Sequence, residues 1–413
     1  MRSNVVPALL VVIVVVAGVL ALRYRPVLPT GDTQASSVAA RQAAEPAYPP
    51  ASIDGRPEPD RSGLTVELCG YGPFEVAPGR LHPPHLAASA ELALAQAMAS
   101  MAEGGDPPQR AAARYLQATA ASGRTYAGYV AQHADCEATP ECRARAADAA
   151  WQSFVLAREA LVAEALATRD PSAYALTYYA CRKRPQGAEA DGSCNLVTAA
   201  QWAQLDSDNL IAWAHAASEA QDRGDATGRA EALRRAAQAT ESRWRADAVL
   251  EPLGHPNVRN LDSATRSIAQ INVMGIRAAV PVPGIGLLRE ECAGKVPMDD
   301  ARRELCSTLG RTLAGRGTTL MELSLGATIG ERAGWPEEEV RALRERRDAF
   351  QQALRGDPAP WTCSYQQQLD QYTTAALDGS GELQFADKLV KASGRTPAEL
   401  AQQWRTRSVR QPK

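Results

Sequence analysis

The chain has 413 residues, 45% hydrophobic and 22% charged, with a formal net charge of −2. That length and apolar content can bury a full core in one or two domains, and so even a charge balance leaves no electrostatic footprint for nucleic acid. Arginine far outnumbers lysine and alanine is abundant, the bias a GC-rich genome produces.

Val5 to Leu22 is an unbroken run of eighteen residues without a charge. At 1.5 Å per residue it spans ~27 Å, close to the hydrocarbon thickness of a bilayer. A cleaved secretory signal has a shorter apolar core and a small-x-small site just after it. Here the run ends in Arg23-Tyr24-Arg25-Pro26, and the nearest candidate sites, at Ala35 and Ala39, lie far downstream. The run is read as an uncleaved single-pass anchor over 5–22, with residues 1–4 cytoplasmic. Secretion after signal cleavage is the alternative. Flanking charge does not set the orientation, because the α-amine and Arg2 balance Arg23 and Arg25.

Residues 26–62 carry seven prolines among Ala, Ser, Gly and Asp, too little apolar surface to fold. They read as a disordered tether reaching ~35 Å or more. The folded domain is expected over 64–413. Leu64 to Gly70 alternates apolar and polar residues, the one strand-like piece, with Gly70, Gly72 and Pro78-Gly79 as its stop. After about residue 85 the pattern is helical. Leu94, Met98 and Met101 form one face; Trp151, Val155, Val162 and Leu166 form another, on a long helix starting near Cys142. Thr396-Pro397-Ala398-Glu399 is a capping box that opens a last helix.

The most ordered signal is Leu205 to Thr240. Asp206, Ser207, Asp208 and Asn209 are all good N-cap residues. Leu210, Trp213, Ala217 and Ala220 then recur at helical spacing. Gly224-Asp225 breaks the helix, and Ala230, Leu233, Ala236 and Ala237 resume the period. This helical hairpin over 205–240 resembles a tetratricopeptide repeat, with Trp213 in the large position, Ala217 in the small one, and Arg229 where the repeat usually has Ala. Tyr179 precedes Trp213 by the repeat period, so 171–206 reads as a degenerate earlier repeat. The resemblance implies an all-α fold, TPR-like helical hairpins in an array, and a groove lined by the first helix. Ala214, Ser218 and Gln221 would line that groove and leave room for a partner.

Eight cysteines occur without a C-x-x-C, which argues against zinc ribbons and thioredoxin-like chemistry. An even count behind an anchor points to disulfides in an oxidising compartment. Six form close pairs around turn material: Cys136 with Cys142, Cys181 with Cys194, Cys292 with Cys306. Cys69 and Cys363 are left over. A bridge between them would tie the two ends of the domain together; free thiols or pairing between chains are the alternatives.

No G-x-S-x-G, H-E-x-x-H or dinucleotide fingerprint is present, and the sequence names no cofactor and no metal site. His82-Pro83-Pro84-His85 lacks neighbouring carboxylates or thiols. His215 reads as a packed side chain. Glu241-Ser242 resembles the Glu-Ser pair of lytic transglycosylases, but that family's flanking motifs are absent, and Glu241 is expected to begin a helix. Glu337, Glu338 and Glu339 read as solvated charges at a helix N-terminus. The expectation is a membrane-tethered periplasmic scaffold in the bacterial inner membrane, binding a protein or peptide partner of the cell envelope. An envelope enzyme working on the cell wall is the alternative; a buried carboxylate raised in pKa inside a cleft would favour it.

The topology is directly testable. A reporter active only in the cytoplasm, fused after Lys413, is expected to stay silent; a bright reporter would overturn the periplasmic assignment.

Overall fold

In a computed structural model of the protein, residues 65–75, 83–133, 135–136, 138–182, 192–294, 297–355 and 361–410 are described. The apolar run, the tether and most of the loop 182–193 lie outside them. No helix among the described residues is long and apolar enough to cross a membrane.

The strand-like piece is half of a hairpin. β1 (Thr65–Leu68) pairs antiparallel with β2 (Gly72–Glu75), Thr65 opposite Glu75 and Leu68 opposite Gly72. Gly72 therefore does not stop the strand but begins its partner. The Cys69 N–H donates to the Trp361 carbonyl at 3.1 Å, beside a Cys69–Cys363 disulfide.

Three long helices follow: α1 (Pro84–Gly104), α2 (Pro107–Gln132) and α3 (Pro140–Thr168). Each opens on a proline, whose missing N–H costs nothing in the first turn. α2 and α3 pack extensively on each other, and Cys136–Cys142 closes the turn between them. The buried face of α3 carries Phe154, Leu161, Val162 and Ala165. Leu166, expected on that face, is instead 37% exposed.

Next come α4 (Pro171–Arg182), a 3-10 turn (Gly192–Leu196), α5 (Ala199–Leu205), α6 (Leu210–Asp222) and α7 (Ala226–Gln238). The expected hairpin is α6–α7. Gly224 turns it at φ +71°, a conformation that a β-branched residue resists. Asp225 caps α7 by accepting from the Gly228 N–H. Leu210, Ala217, Ala220, Leu233 and Ala236 are buried as the period requires. Trp213 is not the deep anchor: it is half-buried, donates to the Ser207 carbonyl and lies under Arg235. The fully buried indole is Trp202 of α5. The second helix of the segment 171–206 is only seven residues long, too short to match the hairpin that follows it.

Of the four capping candidates, Asn209 does the capping. Its Oδ1 accepts from the Ile211 and Arg243 N–H groups, and its Nδ2 donates to Asp206 and to the Arg243 carbonyl. A fully buried amide is thus completely satisfied. Asn209 and Glu241 form a parallel bridge, so Glu241 pairs as extended backbone instead of starting a helix.

A ten-residue 3-10 segment, Arg245–Gly254, then enters the centre. Beyond it lie α8 (Pro256–Arg259), α9 (Ser263–Ala278), α10 (Pro283–Ala293), α11 (Asp300–Arg316), α12 (Leu320–Arg332), α13 (Glu337–Leu354), α14 (Cys363–Leu377), α15 (Gly381–Ala392) and α16 (Pro397–Arg410). The last helix begins on the expected capping box, Thr396 with Glu399. The main core joins residues from Leu68 to Trp361. A second, smaller core is built by Leu323, Ala349, Phe350, Leu383, Ala386, Val390, Leu400 and Ala401 of α12, α13, α15 and α16.

Among the described residues the chain is mostly helical, with one short β-hairpin; three disulfides pair as the spacing suggests, and Cys69 and Cys363, the two left over, form the fourth. Cys69–Cys363 spans 294 positions. Replacing both residues with Ser is expected to lower stability by ~3–4 kcal/mol and to make residues 65–75 the first site of proteolysis. Unfolding midpoints and time-resolved digestion check both.

Candidate cleft on the C-terminal core

The expected groove on α6 is covered. Ala214 and Ser218 are buried at 0% and 8% exposure, and only Gln221 is exposed. α10 packs on α6 so closely that a Cβ on Gly284 would lie 2.7 Å from the His215 nitrogen and 2.8 Å from the Ala214 carbonyl carbon. A first helix lines an open groove only when no later helix fills it. Here α10 does, which corrects the assignment of Ala214 and Ser218 to a partner surface.

The other sequence candidates also resolve into structure. His85 is exposed, His133 stacks on Tyr129, and His255 caps α8 by accepting from the Asn257 N–H. His82 lies outside the described residues. Among those residues, no group of three or more His, Cys, Asp or Glu could hold a metal ion. Ser242 is buried and donates to Glu322.

Glu322 is 1% exposed, and burial pushes its carboxyl up while hydrogen bonds from Ser242, Thr319 and the Thr318 and Thr319 N–H groups pull it back. Glu382 is likewise raised by burial and accepts from the Leu320 N–H at 2.9 Å. Two carboxylates therefore cap the α12 N-terminus, where the helix dipole favours negative charge. Asp247, also raised by burial, is held by Arg277. These are carboxylates that an enzyme reading would look for, as is Glu251, which burial also raises; Glu322, Glu382 and Asp247 are each committed to a helix end or an ion pair. None of the three lines the cleft described next.

That cleft has a volume of about 920 Å³ and is lined by Glu331 of α12, by Trp335, by Glu337, Val340, Arg341, Arg344, Glu345, Arg347 and Asp348 of α13, and by Arg405 of α16. Its floor is apolar: Trp335 and Val340 are buried with Ala333. The indole lies flat on Gly330, where a Cβ would come within 2.2 Å of the ring. The indole N–H donates to the Ser307 hydroxyl at 2.8 Å, and Arg311 stacks 4.6 Å from the ring centre. A glycine on α12 thus fixes the floor.

The walls are charged. Arg344 pairs with Glu331, joining α13 to α12. Asp348, only 3% exposed, takes Arg347 from its own helix and Arg405 from α16 at 3.1 Å. Glu337, Arg341 and Glu345 are spaced four apart along α13 and carry no ion pair among the described residues. The side chains that hold the three helices together lie beside others that remain available.

The sequence placed Glu337 at a helix N-terminus but gave no sign of the cleft, because its lining runs from residue 331 to residue 405 and meets only after α14 and α15 have folded between.

Asp348→Ala leaves two guanidinium groups without their shared acceptor. Since both are partly exposed, the expected loss is ~1–2 kcal/mol, with faster proteolysis of 397–410 than of the rest of the domain. Equal cleavage rates would mean that Asp348 does not hold α16 in place.

Comparison with known proteins gives no match: no family model, no curated protein and no solved structure is similar to the chain.

Proposed function

We propose that the protein is a membrane-tethered periplasmic helical scaffold that binds a protein or peptide partner of the cell envelope in the α12–α13–α16 cleft. The observation that carries this reading is the cleft itself: about 920 Å³, an apolar floor, and both signs of charge set on helices. The volume lies within the range of specific binding sites. The lining is more polar than a small-molecule pocket, which suits a peptide segment whose own charges can pair with Arg341, Glu337 and Glu345. Planar arginine forks favour carboxylates, and the buried Trp335 floor gives an apolar side chain a place to rest.

The apolar run at 5–22 and the proline-rich stretch behind it support the tether. Four bridges and no free cysteine among the described residues suit an oxidising compartment.

The test is photo-crosslinking in living cells, with the photoreactive residue at position 341 or 345 and a control at exposed position 103. A discrete adduct with one envelope protein is expected from the cleft positions alone. That adduct should weaken at least tenfold when Arg405 or Glu337 is charge-reversed. An adduct of equal yield from position 103, or none from the cleft, overturns the proposal.

A further inference from the structure

His215 sits in the middle of α6 and is completely buried. Its ring packs against Tyr178 and Tyr179 of α4 at 5.5 Å each, and against Trp202 of α5 at 5.2 Å. Neither ring nitrogen has a hydrogen-bond partner, and the Trp202 indole N–H and the Tyr178 hydroxyl have none either. A neutral imidazole always carries one donor and one acceptor, so this residue is held where neither is used.

We infer that His215 is an acid trigger: on protonation it forces a local opening of the α4–α5–α6 layer. The surroundings offer an imidazolium no counter-ion. From α4, Arg182 faces it and is itself paired with Asp222. On α6, Glu219 accepts from the Ala199 N–H at 2.7 Å and pairs with Arg223. Asp206, before α6, is paired with Arg245, and Asp247 in the 3-10 segment with Arg277. α5 contributes only the indole. α7 contributes Arg229 and Arg235, paired with Glu291 and Glu231. α10 brings the Gly284 backbone against the Ala214–His215 backbone, and its Glu291 is held by Arg229 and Arg302.

Burial, and then the nearby Arg182 charge, lower the imidazole from 6.5 to about 3. The opened layer therefore binds the proton at a pH where the closed layer does not. The closed form holds its full advantage above pH 6.5 and loses it steadily as the pH falls toward 3. Relative to pH 8, the opening constant should rise about thirtyfold at pH 5 and about three hundredfold at pH 4. The bridges Cys181–Cys194 and Cys292–Cys306 flank the layer and keep the opening local. What it exposes is an aromatic surface made of Tyr178, Tyr179 and Trp202.

The experiment is hydrogen exchange on the full-length chain at pH 8 and pH 5, corrected for intrinsic rates, following peptides over 173–181 and 199–217 in wild type and His215→Phe. Protection in wild type should fall about thirtyfold more than in the variant, which shares every other titrating group. An equal fall in both overturns the inference. Should His215→Phe not fold, the histidine ring-proton NMR signals of wild type decide alone. One imidazole that stays neutral down to pH 4 in the native protein sustains the trigger, and titration of all five histidines near 6.5 removes it.

Discussion

The fold depends on burying Arg245–Gly254, a 3-10 segment, at the point where six of the sixteen described helices meet. α1, α2, α4, α8, α9 and α14 all pack on it, and Ala246, Val249, Leu250 and Leu253 are buried within the main core. Backbone taken out of water must satisfy its own polar groups, and short-range 3-10 bonds do so without a strand partner. The entry is pinned by ion pairs: Arg245 to Asp206 at 2.6 Å and Asp247 to Arg277 at 2.5 Å. A central segment touched by helices from both halves of the chain makes the domain close upon itself. This is why Cys69 and Cys363 can lie 4.8 Å apart at their Cα atoms; in an open superhelical array the first and last segments would be far apart.

That closure also explains what was legible in the sequence. Local chemistry was readable: the Thr396–Glu399 box, the Gly224 turn and the close cysteine pairs depend on residues within a few positions of one another. Where the packing of a distant segment decides, the reading missed; the Cys69–Cys363 bridge, reached by elimination, is the exception. Trp213 and Trp202 look equivalent in a helical pattern, and only the packing of α4 and α6 makes the second the deep one. Ala214 and Ser218 looked like a groove because small residues leave room, and α10 uses that room. β2 was invisible because Gly72-Pro73-Phe74-Glu75 is four residues long and carries a proline, which only an edge strand accepts. Asn209 was visible as a cap, but its second task, holding Arg243, depends on backbone that the period of a repeat does not describe.

The buried polar groups divide into two kinds, and the division bears on function. Glu322, Glu382, Asp247 and Asn209 are each hydrogen-bonded, and each links segments far apart in sequence: Ser242 to α12, α15 to α12, the central segment to α9, and the α5–α6 junction to Arg243. Such groups specify one arrangement, because any shift of register leaves a buried charge or amide unpaired. His215 belongs to the other kind, a titratable ring with no partner. Glu322 and Glu382 tie the α12 N-terminus to Ser242 and to α15, whereas Asn209 and Asp247 fasten segments within the larger core.

The chemistry of that cleft sets how it can bind. Arg344 is already occupied by Glu331, and Arg347 and Arg405 by Asp348, so an incoming carboxylate meets Arg341 without competition and would have to share or displace an existing partner at the other three. The exchange of one ion pair for another yields little net free energy, since both sides lose and regain similar contacts. Trp335 and Val340 are already buried and leave a partner little apolar area to cover, so the charges act chiefly on orientation and encounter rate. Because the charged rim stands in water, its contribution is screened at physiological ionic strength, and a partner held this way exchanges quickly.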